Sequence, residues 1–116
     1  MVVFHIMNIS NILQSSAERF GPKSALIFKD QSVSFSELKT RVFGLSAGLS
    51  VAGVRKASKV AIYLPNCPEY AYSYLSLFYL GATIVPLDYM LKTDELVSCL
   101  SHSETEWLFI LIVVIY

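Results

Sequence analysis

Glycine is scarce in this chain, five residues in 116, and none lies in the connection that follows its most strand-like run. That excludes the glycine-rich loops of dinucleotide-binding and Walker-type sites, which bring backbone amides at a helix start onto a phosphate. Cysteine is limited to Cys67 and Cys99. Both fall within helical patterns and supply no secretory disulfide framework, so reduced, buried thiols in a cytoplasmic protein are expected. The two histidines, His5 and His102, are far apart, and neither belongs to a paired Cys/His metal-ligand motif. They read as surface or capping residues. No serine stands at the strand-to-helix elbow of an activated nucleophile; Ser46 has the Gly-x-Ser-x-Gly spacing, between Gly44 and Gly48, but lies in the middle of a helical stretch. Charged residues make up 16% of the chain, against about a quarter in ordinary globular domains. Nine basic and nine acidic residues cancel, which leaves no net field to attract nucleic acid or an anionic membrane. Long apolar runs are missing too. Residues 108–116 form a nine-residue stretch, about half a membrane span, and read as a strand, so no transmembrane span is expected. Residues 2–7 lack a basic flank and are cut short by Asn8, which argues against a signal peptide. Asn8-Ile9-Ser10 fits a glycosylation acceptor and is read as coincidence.

What is abundant is apolar side chain. Hydrophobic residues make up 54% of the sequence and aromatic residues 13%. One domain with a core fits this length, and the apolar excess implies a partner surface or further sequence. The organising stretch is residues 59–87. Residues 60–64 are an apolar run rich in β-branched and aromatic residues that stops at Pro65, a buried strand. From Cys67 the period changes to three and four, with Cys67, Tyr70, Ala71, Tyr74, Leu75 and Phe78 on one helix face. The opposite face carries Tyr72, Leu77, Tyr79 and Leu80 beside Ser73 and Ser76, so this helix needs neighbours on more than one side. Gly81 suits a left-handed helix end, and residues 82–85 form a second strand closing at Pro86. Strand, helix, strand in this order spells a parallel crossover.

Upstream, Asn8 or Ser10 can cap a first helix carrying Ile9, Ile12, Leu13, Ala17 and Phe20, ended by Gly21-Pro22. Residues 25–28 and 33–35, joined by the polar turn 29–32, make a hairpin. Ser34 and Glu37 form a capping box for a second helix with the stripe Phe35, Leu38, Val42, Leu45, Leu49 and Ala52. Gly44 and Gly48 on that helix would let another backbone come close, and Gly53 ends it. Downstream, Thr93 is a cap candidate for a short helix over residues 94–100. Ser101-His102-Ser103 then links to a last strand from Trp107. The fold class is α/β: an open, mostly parallel sheet with flanking helices and an N-terminal β-hairpin. Among residues with reactive side chains, Cys67 sits near a helix start with Pro68 and Glu69 in the first turn, and is read as structural. The tyrosines at 70, 72, 74 and 79 surround the helix and are read as core. No catalytic, cofactor-binding or metal-binding residue is assigned.

Four stretches in succession carry a resemblance: Ser34-Phe35-Ser36-Glu37-Leu38; Gly53-Val54; Val60-Ala61-Ile62-Tyr63-Leu64-Pro65-Asn66-Cys67-Pro68-Glu69-Tyr70; and Gly81-Ala82-Thr83-Ile84-Val85-Pro86-Leu87. In order and spacing, over about residues 8–110, they resemble the N-terminal portion of the AMP-forming acyl-CoA synthetases, the adenylate-forming ligase superfamily. No single motif is unique to that family; their succession is what resembles it. The resemblance implies a parent enzyme that activates a carboxylic acid with ATP and Mg²⁺ to an acyl-adenylate and passes the acyl group to coenzyme A. Its phosphate loop, adenylate-binding motif, hinge and C-terminal lysine all lie beyond the matched portion, so no site residue carries over. The expected organisation is one partial domain over residues 1–116, with 111–116 an atypical apolar end, whose partners are the remaining subdomains. The family often has Gly-Asp where this chain has Ala57-Ser58, a change at a turn. Such a fragment is expected to be inactive alone. The rival reading is a non-catalytic interaction module that binds a partner through exposed apolar surface; a small nucleotide-binding protein is disfavoured by the missing glycine loop.

Overall fold

A computed structural model describes residues 9–111. The expectations about residues 2–7, His5, Asn8 and residues 112–116 fall outside it. The elements are α1 (Ile9–Phe20), β1 (Ser24–Phe28), β2 (Gln31–Ser34), α2 (Phe35–Ala52), β3 (Lys59–Tyr63), α3 (Pro68–Leu80), β4 (Thr83–Pro86), α4 (Thr93–Ser103) and β5 (Trp107–Ile110). β1 and β2 form an antiparallel hairpin, while β3 is the middle of a separate sheet in the order β4-β3-β5. Both pairings of β3 are parallel, Val60 lying opposite Ile84 on one side and Trp107 on the other. The expected α/β architecture is therefore present.

The organising role of β3 follows from its burial. Val60, Ala61 and Ile62 are inaccessible to solvent, as expected of a strand with neighbours on both edges and packing on its faces. Val60, Ile62 and Leu64 meet Leu77 of α3 and Val54, with Tyr70, Tyr74, Trp107 and Phe109 around them. A second cluster joins Leu13 of α1, Val33 of β2, and Leu38 and Val42 of α2, with Tyr72 and Leu75 of α3 packed against it. α3 thus lies between two cores, which is why its sequence shows no charged stripe.

The seam between α2 and α3 is made by serines. Ser76 is fully buried and donates to the Val42 carbonyl at 3.1 Å, and Ser46 donates to the same carbonyl at 2.7 Å. Ser73, also buried, donates to the Glu69 carbonyl at 2.7 Å. This corrects two expectations. The deepest face of α3 carries Ser73, Ser76 and Leu77 rather than the tyrosine and phenylalanine face. The close approach of another helix also does not use Gly44 and Gly48, since a Cβ added at either would meet nothing within 4 Å. A small hydroxyl that returns its proton to a nearby carbonyl lets helices approach without leaving an orphaned polar group.

Helix ends follow the sequence closely. Glu37 N–H donates to Ser34 Oγ at 3.1 Å and Ser34 N–H to Glu37 Oε2 at 2.7 Å, the reciprocal box. Gly53 (φ 112°) and Gly81 (φ 70°) both close their helices in the left-handed conformation. Several smaller expectations are corrected. Phe35 belongs to α2 rather than to the hairpin, and Gln31 is already in β2, so the turn is only Lys29-Asp30, with Lys29 at φ 52°. Ser10 lies inside α1. α4 begins after Lys92, whose N–H donates to Glu95 Oε2 at 2.9 Å, so Thr93 is its first residue rather than its cap. It also runs through Ser101-His102-Ser103 to end on a left-handed Glu104. Both cysteines are free and half-buried rather than fully buried.

Candidate functional site

In open α/β sheets, ligands gather outside the carboxyl ends of the strands, and there the structure has a cleft. β3 leaves the sheet through Leu64-Pro65-Asn66-Cys67, and β4 through Leu87, whose N–H donates to the Ile62 carbonyl at 3.0 Å. Between these exits lies a cavity of about 340 Å³ walled by Asn66, Tyr70, Leu87, Asp88 and Tyr89. The loop after β4 beside it is pinned. The Tyr63 hydroxyl donates to the Leu91 carbonyl at 3.1 Å, the Tyr63 and Tyr89 rings lie 5.3 Å apart, and Asp88 Oδ1 accepts from Met90 N–H at 2.9 Å. A smaller cavity of about 210 Å³ opens between Leu26 and Phe28 of the hairpin and Cys67 and Pro68 at the start of α3. Asn66 and Tyr70 wall both. Burial, and then the neighbouring Tyr74 phenol, push the Tyr70 hydroxyl above the ordinary tyrosine range, so it is a neutral donor at physiological pH.

Among the residues lining the two cavities no histidine, lysine or serine is present to transfer a proton or attack. Cys67 is the N-cap residue of α3, in extended backbone, and its side chain makes no capping bond. His102 is exposed in the last turn of α4, away from the cleft. Among the described residues no three His, Cys, Asp or Glu side chains converge to hold a metal ion. The start of α3 is also unsuited to a phosphate. Pro68 has no N–H, Tyr70 N–H is taken by the Cys67 carbonyl at 3.1 Å, and the Glu69 carboxylate stands in the same turn. Asp88 is the one charged residue lining the larger cavity. Neither cavity is lined by a lysine, arginine or histidine that would meet a phosphate. The sequence reading missed the Tyr63 and Tyr89 pair and the Asp88 turn. The available signal was an Asp two residues before a backbone donor, in a loop leaving a strand.

The model of the family described as AMP-binding enzyme matches residues 13–114. The chain belongs to the AMP-binding enzyme family. It is 33% identical over 88 residues to a long-chain-fatty-acid–CoA ligase of Bacillus subtilis, a match that covers 76% of this chain and 16% of the ligase. It is 29% identical over 106 residues to a crotonobetaine/carnitine–CoA ligase of Salmonella paratyphi A, covering 87% of this chain and 20% of that one. The N-terminal subdomain of Klebsiella oxytoca NpsA superposes with a TM-score of 0.86 at 26% identity, over 89% of this chain and 27% of that one. This AMP-binding family chain thus corresponds to the N-terminal portion of its relatives and spans about a fifth of the length of the ligases it matches. Among the described residues no helix is long and apolar enough to cross a membrane.

Proposed function

We propose that residues 1–116 form a partial domain, the opening layer of the N-terminal subdomain of an ATP-dependent, AMP-forming acid–CoA ligase. In this reading the parent enzyme uses ATP, Mg²⁺ and coenzyme A to activate a carboxylic acid through an acyl-adenylate. The 116 residues supply scaffold and one wall of a cleft, and the remaining subdomains supply the chemistry. The observation that carries the reading is the family match along nearly the whole chain to about a fifth of CoA ligases, and a cleft whose one charged lining residue is the acidic Asp88 supports it. The expected result is no pyrophosphate release above background when the isolated chain is given ATP, Mg²⁺ and a panel of carboxylates. Turnover would show that the chain carries a working site and remove the reading.

A further inference from the structure

The charges that cancel over the whole chain do not cancel along it. Residues 19–58 hold seven of the nine basic residues and two of the nine acidic ones, whereas residues 59–116 hold two and six. On α2, Phe35, Lys39, Phe43, Ala47 and Val51 follow at four-residue steps, a row that winds along about 24 Å of the helix. Lys39 Nζ lies 5.5 Å from the centre of the Phe43 ring, and that ring lies 4.9 Å from Tyr79 of α3. At the start of the row Phe35 meets Phe20 at 5.9 Å, and the Phe20 ring carries both Arg19 at 5.1 Å and Lys23 at 5.4 Å. At its far end Arg55 and Lys56 are exposed, and Lys56 lies against Gly81, just beyond Tyr79. The nearby carboxylates are engaged elsewhere: Glu37 accepts from Ser34 N–H, and Glu18 accepts from Gln14. Val51 is 91% exposed and Tyr79 48%, so the band is apolar surface in water, set with cations.

We propose that this band is a docking surface for a bilayer containing anionic lipid, on which the chain lies as a peripheral protein. This goes beyond the function proposed above and does not rest on it. Cations on long stems meet lipid phosphates while aromatic and aliphatic side chains enter the boundary between headgroups and acyl chains, and the band presents both kinds in alternation. Two features favour a membrane over other polyanions. A single-stranded nucleic acid needs free ring faces on which to stack its bases; here Arg19 and Lys23 occupy Phe20, and Lys39 and Tyr79 occupy Phe43. The row also lies on the convex flank of a helix, and a fluid surface, unlike a folded acidic partner, needs no matching groove.

The test is sedimentation of the full chain with vesicles of pure phosphatidylcholine and of an equal mixture with phosphatidylserine. Binding should be at least tenfold stronger to the mixed vesicles and should be lost at about 1 M salt, where charges are screened beyond about 3 Å. A cation beside an anionic surface counts for about fivefold in affinity, so Arg19→Gln, Lys23→Gln and Lys39→Gln together should lower binding roughly a hundredfold. Lys92→Gln, outside the band, should leave it unchanged. Val51→Trp reads the contact directly: at this exposed position the added indole should strengthen binding, and its emission, taken above that of Trp107, should move to shorter wavelength on mixed vesicles and not on neutral ones. Equal binding to both vesicles, binding to neither, or a loss through Lys92→Gln as large as that through Lys39→Gln alone overturns the proposal. So does an unshifted emission, or tighter binding to oligothymidylate than to the mixed vesicles. Self-association of the chain that the triple substitution abolishes also overturns it, by giving the band to the acidic half of a second copy.

Discussion

Ala57 holds a conformation that glycine holds more cheaply. Its φ is 67°, and its N–H donates to the carbonyl of Gly81, itself at φ 70°, at 2.9 Å. Two left-handed residues thus tie the loops entering β3 and β4 to each other. An L-residue in that region costs about 1 kcal/mol or more, and glycine's extra freedom in the unfolded chain offsets part of the relief. Ala57→Gly should therefore raise stability by about 0.5–1 kcal/mol, read as a higher urea midpoint with unchanged slope. The adjacent Ser58 accepts from Arg55 N–H through its hydroxyl at 2.9 Å, which holds the turn with a smaller group than the family's frequent Asp. Glu37 offers a pH test. The Ser34 backbone N–H, then the Ser34 side chain, hold its carboxyl below the ordinary glutamate range. A depressed folded value means that the stabilisation is complete above the unfolded value, roughly 4.3, and is lost as pH falls through the folded one. Glu37→Gln should flatten the fall in stability below that pH and leave the slope near pH 7 as it is, measured by denaturation across pH 3 to 7.

At the scale of elements, α2 shows what periodicity conveys and what it does not. Its ends were legible, because Ser34, Glu37 and Gly53 act through local backbone bonds that depend on a few neighbouring residues. Its partner surface was not, because serine reads as polar in any hydropathy pattern, while Ser46 and Ser76 are buried by returning their protons to the Val42 carbonyl. Replacing Ser76 by Leu should cost about 1–3 kcal/mol through overpacking; Ser76→Ala should cost less, since Ser46 still serves that carbonyl. Gly44 and Gly48 are exposed in the helix interior with open space at Cβ. Changing either to Ala should add up to about 1 kcal/mol of stability, read from the same urea curves, where loss instead would mean a neighbour that the structure does not place there. α4 was legible as a helix and misjudged in extent, because Ser101, His102 and Ser103 look like a loop and continue a helix that ends on Glu104 rather than on glycine. The cleft was not read from the sequence, although the two strands whose exits flank it were. The aromatic pairing of Tyr63 with Tyr89 joins loops that sequence spacing alone does not connect.

Across the whole molecule, burial is uneven. β3 is sealed, whereas α4 buries none of its residues and leaves Val97 58% exposed. Amide exchange in the isolated chain should therefore be slowest at residues 60–62 and faster by orders of magnitude along α4, since local opening there uncovers little apolar surface; equal protection in both would contradict this distribution. The family resemblance and the α/β class were both readable in the sequence, because they reside in the ordered succession of strand, cap and turn. The order of the strands across the sheet was not, since it depends on which strand lies outermost. That arrangement also sets a timetable. β3 can be joined by β4 as soon as α3 has been made, but its other neighbour arrives only after a return trip that brings Glu106 back to Lys59 across 47 positions. Because closing a longer excursion comes later and more slowly, a growing polypeptide carries its central ribbon half-paired while α4 emerges. During synthesis, that interval is when a chaperone has the most to shield.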